Sequence, residues 1–291
     1  KQVNSMKNSR RTFIKSSAAL VTTFILPSCN ANKQQFWKQL TIFIIALLLI
    51  LLAREYFSHQ LIENEIESYQ VHTLLSIGAN IILIFVSVFF IKKNGLTKIA
   101  GIKETKLKKW HLLIFPLIYL VSLNAFTMDD VNTDILLPNI LFLLIYSISI
   151  GFAEELSIRG FLQSHLINRL KKTKKNSILS VFVSALFFGL IHLIKFDKGI
   201  YGELSQVGFA TFIGVMFGVL LVITKRIYPL IIIHAIIDFV AKLDATGLPI
   251  KEKISESMSV ENAVFITLLT LPCLLYAIFL INKHELVEQV E

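Results

Sequence analysis

Residues 135–160 read ILLPNILFLLIYSISIGFAEELSIRG, and the run from Ile135 to Ala153 carries no charge before it meets Glu154 and Glu155. A helix needs about 20 consecutive apolar residues to cross a bilayer core, so 135–153 reads as a membrane span with two carboxylates at its end. Ionisable residues so placed are costly and point first to function.

Further uncharged runs of similar length occur at 71–91, 110–128, 176–194, 204–224 and 262–282. Two weaker stretches, 39–53 and 227–241, bring the expectation to eight spans: the first is short but aliphatic and begins beside Trp37, and the second is interrupted only by Asp238. The composition agrees, with 54% hydrophobic and 17% charged residues and a mean hydropathy of +0.67. The expected fold class is therefore all-α, a polytopic membrane helix bundle of about eight transmembrane helices.

Short cytoplasmic loops collect Lys and Arg. Residues 92–109 hold seven Lys, residues 159–175 hold two Arg and four Lys, and the next such connection is Lys225-Arg226. Between them lie poorer loops: 54–70 has one Arg against four Glu, and 127–134 has three Asp and no base. This alternation predicts eight spans in the cell (inner) membrane with both termini cytoplasmic. It also accounts for the net charge of +9, which leaves nothing for a nucleic-acid partner to explain. Cys29 and Cys273 are the only cysteines, which excludes a disulfide framework or a cysteine-based metal site.

Residues 1–35 read as an N-terminal tail. Arg10-Arg11, a small-residue apolar stretch and Leu26-Pro-Ser-Cys29 resemble a twin-arginine signal ending in a lipoprotein cleavage box. Cleavage at Cys29 would put residue 30 outside and invert the loop pattern, so the loop charges favour a basic cytosolic or interfacial tail. Residues 36–285 then form the membrane domain, with its core at about 135–240, and 286–291 form a short tail.

Three segments carry aimed polar residues. Glu155 and Arg159 stand four apart in the favourable order for a helical ion pair, while Glu154 points about 100° away from Glu155. If Arg159 holds Glu155, Glu154 is the carboxylate left to take a proton from water. Phe188 and His192 repeat the four-residue step, as do His234 and Asp238, whose pairing can share a proton, fix a tautomer or bind one metal. His72, His111 and His165 lack such partners and read as structural or interfacial. Taken together, these groups suffice for hydrolysis of an amide bond inside a membrane cavity. The soluble His-Glu-x-x-His pattern is absent, and zinc held by His192, His234 and a carboxylate, Glu154 or Asp238, stays open. One geometric difficulty attends the set. Glu154 lies at the cytosolic end of a span closing at 153, whereas His192, about 22 Å along a helix begun at 177, lies toward the other side.

The ordered trio Glu154-Glu155-x-x-x-Arg159, Phe188-x-x-x-His192 and His234-x-x-x-Asp238 resembles the three-motif signature of the CPBP family of intramembrane proteases. That family includes type II CAAX prenyl endopeptidases and bacterial bacteriocin-processing or self-immunity (Abi-like) proteins. The resemblance covers about 135–240. It implies an intramembrane (metallo)endopeptidase in which Glu154 and His192 activate water, and His234 with residue 238 serves the oxyanion or a metal. Glu155, Arg159 and Phe188 would support them. It also implies a membrane-associated peptide or protein as substrate, whether prenylated or not. Where the family's last motif commonly ends in Asn, this chain has Asp238, which must be protonated, orient His234 or bind metal, because an ionised Asp cannot donate to an oxyanion. The rival readings are a non-catalytic immunity or peptide-binding protein and a proton-linked transporter.

Overall fold

The computed structural model describes residues 31–103, 106–170, 173–195, 199–251 and 258–286. The twin-arginine and lipoprotein reading of the tail lies outside the described residues. The chain divides into two units, residues 1–41 and 42–291. In the first, the described residues open a helix in which the rings of Phe36 and Trp37 meet edge-on at 5.0 Å.

The second unit is a polytopic helical bundle, with no strand among the described residues. Its helices are α1 (Ala31–Glu63, entering from the first unit), α2 (Tyr69–Lys93), α3 (Ile114–Thr127), α4 (Thr133–Glu154), α5 (Ser164–Arg169), α6 (Lys174–Ile191), α7 (Gly199–Thr224), α8 (Tyr228–Val240) and α9 (Val260–Lys283). A π-helix, Glu155–Gln163, joins α4 to α5. Side-chain caps start several of these helices: Ser68 accepts from the Val71 amide, Asn132 from Asp134, Thr173 from Asn176 and Ser259 from Asn262. Each cap satisfies a backbone donor that the helix itself cannot pair.

Seven helical stretches among the described residues are long and apolar enough to cross a membrane. Three boundaries differ from the sequence expectation. The first span runs from Gln34 to Glu63, so Arg54 lies within a helix and not in a loop. The span expected to close at 153 continues through the π-helix to Arg169, which puts Glu154 near its middle. The stretch expected at 227–241 forms a helix of only 13 residues, about 20 Å long, shorter than a bilayer core.

Helix α8 nevertheless joins the same two faces as its neighbours. At its start, the Ile227 amide donates to the Gly101 carbonyl at 3.3 Å, beside the contact of the Lys108 amide with Thr224 at 2.9 Å. Beyond its end, further turns bring the Asp244 carboxylate to the Asp129 amide at 3.2 Å, and Ile250 donates to Glu67 at 2.9 Å. The basic connections around 101, 108 and 225 therefore share one face, and the acidic ones around 67 and 129 share the other. Gly101 (φ +68°) permits the first of these meetings, because a Cβ there would stand 2.8 Å from the Lys225 carbonyl oxygen.

Close helix approach depends on small residues, as is usual in lipid, where apolar burial gives no drive for one helix to seek another. A Cβ on Gly151 would lie 2.6 Å from the Ile231 carbonyl oxygen, so α4 and α8 come into close backbone contact. Ala185 and Gly214 do the same for α6 and α7. Polar links add register: Asn80 donates to Ser149 at 2.9 Å between α2 and α4, and Tyr119 donates to the Leu269 carbonyl at 2.7 Å between α3 and α9. His72 sits between Ser58 and the Ile66 carbonyl and His165 stacks on Phe161, both structural settings.

Candidate active site

Every residue from Glu155 to His165 is buried, and two of them are ionic. The Arg159 guanidinium donates to Glu155 Oε1 at 3.0 Å with both side chains almost wholly enclosed. It donates also to the Gly214 carbonyl at 3.4 Å and lies over the Phe188 ring at 4.7 Å. A charge taken so far out of water persists only when paired and hydrogen-bonded, and this one is both. The ion pair expected from the spacing is therefore formed, and a π-helix, a feature often found at functional sites, carries it.

Glu155 has a second partner that the sequence spacing did not indicate. His234 Nδ1 donates to the same Oε1 at 2.8 Å, from α8, while His234 Nε2 faces Glu154 Oε2 at 3.4 Å. The imidazole thus stands between two adjacent carboxylates, one sealed and one 31% exposed. Glu154 and Glu155 diverge, as their helical angle requires, and His234 spans the gap. The approach at Gly151 sets the distance, since it lets α8 come close enough for His234 to reach the start of the π-helix.

Glu154 and His192 wall the same cavity, of about 490 Å³, with Phe188, His234 and Asp238. The size suits a small ligand or peptide segment. A recess of about 180 Å³ reaches the same two residues past Leu47, Leu51 and Leu83. The separation in depth expected between Glu154 and His192 disappears because Glu154 is mid-helix, while α6 ends at Ile191 and turns at His192 beside it. The His192 Nδ1–H donates to the Phe188 carbonyl at 2.8 Å, which leaves Nε2 as the nitrogen with a free lone pair.

Asp238 does not hydrogen-bond His234, the partner suggested by the four-residue step. Its carboxylate pairs with Lys242 at 3.1 Å, four residues on, which puts an ammonium on the cavity wall. Lys242 stands at the same four-residue spacing from Asp238 as His234 does, on the other side. Arg54, Asn80 and Tyr146 also line the cavity. The signal for Asn80 was a lone amide in the 71–91 span; for Arg54 it was the one base in an acidic stretch. Nothing in the sequence singled out Tyr146.

The four residues considered as metal ligands do not converge as a set. Among the described residues no group of three or more His, Cys, Asp or Glu side chains could hold a metal ion. His234 has both nitrogens engaged by glutamates and Asp238 is taken by Lys242.

Over residues 136–240 the chain matches a family model described as type II CAAX prenyl endopeptidase Rce1-like. The matched segment holds all three motifs and supports the CPBP family. No curated protein matches the chain.

Proposed function

We propose that this chain is an intramembrane endopeptidase of the CAAX type, which hydrolyses a peptide bond in a membrane-associated substrate with water activated by Glu154 and His192. What carries the reading is the shared cavity: a part-exposed carboxylate and an imidazole with a free nitrogen face one space, and a buried network fixes the carboxylate.

The chemistry follows from that network. A water held between Glu154 and His192 Nε2 gives its proton to Glu154 as its oxygen attacks the scissile carbonyl carbon. The C–O bond forms, and the carbonyl electrons move onto oxygen. Arg159 and Glu155 hold His234 in place, and His234 in turn holds Glu154 in orientation, so that base and water meet without rearrangement. The Lys242 ammonium stabilises the oxyanion; Asp238, which cannot donate while ionised, positions the ammonium. Collapse of the tetrahedral species breaks the C–N bond, and the proton held by Glu154 passes to the departing amine. No step passes through a metal, in keeping with the donor arrangement.

The test is cleavage of membrane-anchored peptides by detergent-purified protein with Lys242→Met beside wild type. Loss of turnover with little change in KM supports the oxyanion role, whereas unchanged turnover removes Lys242 from the mechanism.

A further inference from the structure

The two ends of the catalytic cavity differ. Toward the basic loops it is closed: the buried run Glu155–His165 lies there, with Gln163 donating to the Gly218 carbonyl at 3.0 Å and Gly160 packed on the side chains of Ile91 and Ile227. Toward the acidic loops it is lined by residues near the helix ends of that face. Asn124 stands one turn from the end of α3, Met258 just precedes α9, and Lys242 follows α8. All three are partly exposed. Glu154, His234 and Phe217 line the same space farther from the face where Asp129 meets Asp244.

That face is the poorer in bases, with one Arg against four Glu at 54–70 and none at 127–134, and its Lys242 and Lys251 are paired with Asp238 and Glu67. The opposite face carries the loop with seven Lys and Lys225-Arg226. Short loops rich in Lys and Arg stay in the cytoplasm. We infer that the cavity opens on the extracytoplasmic side, so that its substrate is a peptide segment displayed at the outer surface of the membrane and not one offered from the cytosol. The nature of what enters rests on the peptidase reading; the direction of entry does not. Water and substrate reach Glu154 from outside, and the sealed π-helix keeps the site from becoming a path through the membrane.

Single cysteines introduced in a Cys29→Ser background, in which Cys273 stays buried, test the direction. Asn124→Cys on α3 and Met258→Cys just before α9 report the end toward the acidic loops, and Lys98→Cys reports the exposed basic loop. Each full-length protein is expressed in a bacterial host, and spheroplasts are treated with a membrane-impermeant maleimide before and after permeabilisation. The expected result is that positions 124 and 258 label in intact spheroplasts to the level reached after permeabilisation, while position 98 labels only afterwards. The inverse pattern overturns the inference, as does labelling of either cavity position only after permeabilisation. Two positions keep the test decisive if one variant misfolds. Labelling needs no catalysis, so a failed peptidase reading leaves this result standing, and an inverted pattern leaves Glu154-dependent cleavage untouched.

Discussion

Adjacent glutamates do different work because one helical step of about 100° sends Glu155 into the packed interior and Glu154 to the cavity. Replacing Glu154 with Gln keeps the shape and removes the base. Cleavage should fall by about 10²–10⁴-fold, the usual worth of a general base, while the protein elutes and melts as wild type. Arg159→Met should behave differently. It leaves the Glu155 carboxylate, in a site with essentially no solvent access, with His234 as its remaining partner, and losing one partner of a buried pair costs about 3–5 kcal/mol. A large drop in melting temperature in detergent checks this, and an unchanged melt would contradict it. At this scale the sequence was legible where partners stand four apart: the Glu155–Arg159 pair follows from spacing alone. The contact of His234 with Glu155 spans 79 residues, and no local rule yields it. For Asp238 two residues, His234 behind and Lys242 ahead, compete at the same spacing, and the ammonium takes the carboxylate.

At the scale of elements, the α4–α8 approach and the π-helix place the site. Gly151→Ala would drive a methyl group into the Ile231 carbonyl, force α8 outward and draw His234 away from both glutamates. Overpacking of this kind costs about 1–3 kcal/mol, and the expected outcome is a lowered melt together with a loss of cleavage larger than the melt explains. The pattern of apolar runs made the membrane helices legible, because a bilayer imposes length and composition on each. It did not reveal where the fourth long span ends. A π-helix binds its backbone internally just as an α-helix does, so the charges at 154, 155 and 159 looked like a terminus when they were the middle of a 37-residue stretch. The end of α9 carries a pH-dependent contact. His284 lies past the last helical residue, where desolvation and then Lys109, Lys283 and His111 lower its pKa. Lys109 Nζ donates to its Nδ1 at 2.8 Å, which requires the neutral ring. A folded value below the unfolded one means that the stability from this contact is complete above the ordinary histidine range and is lost as pH falls through the lowered value. The melting temperature should decline on acidification through that window, and His284→Gln should remove part of the decline.

Across the whole molecule, the alternation of basic and acidic loops gave the class of fold, and the order of three weak motifs gave the resemblance that the family model over 136–240 supports. Each motif alone is a common helical spacing; it is their succession on separate membrane segments that narrows the reading. The short α8 shows what such a reading misses, since a 13-residue helix serves as a traverse only because the turns after it continue to the acidic face. The cavity is likewise a property of the assembled bundle, drawn from the ends of helices far apart in the chain. The proposed mechanism uses Glu154 as its base and routes no step through a metal, and one experiment reads both. Purified protein is incubated with a membrane-anchored peptide library, wild type beside Glu154→Gln, with and without a zinc chelator. The account predicts product from wild type alone, in equal amount with the chelator. Cleavage that survives in Glu154→Gln, or that the chelator abolishes, would contradict it.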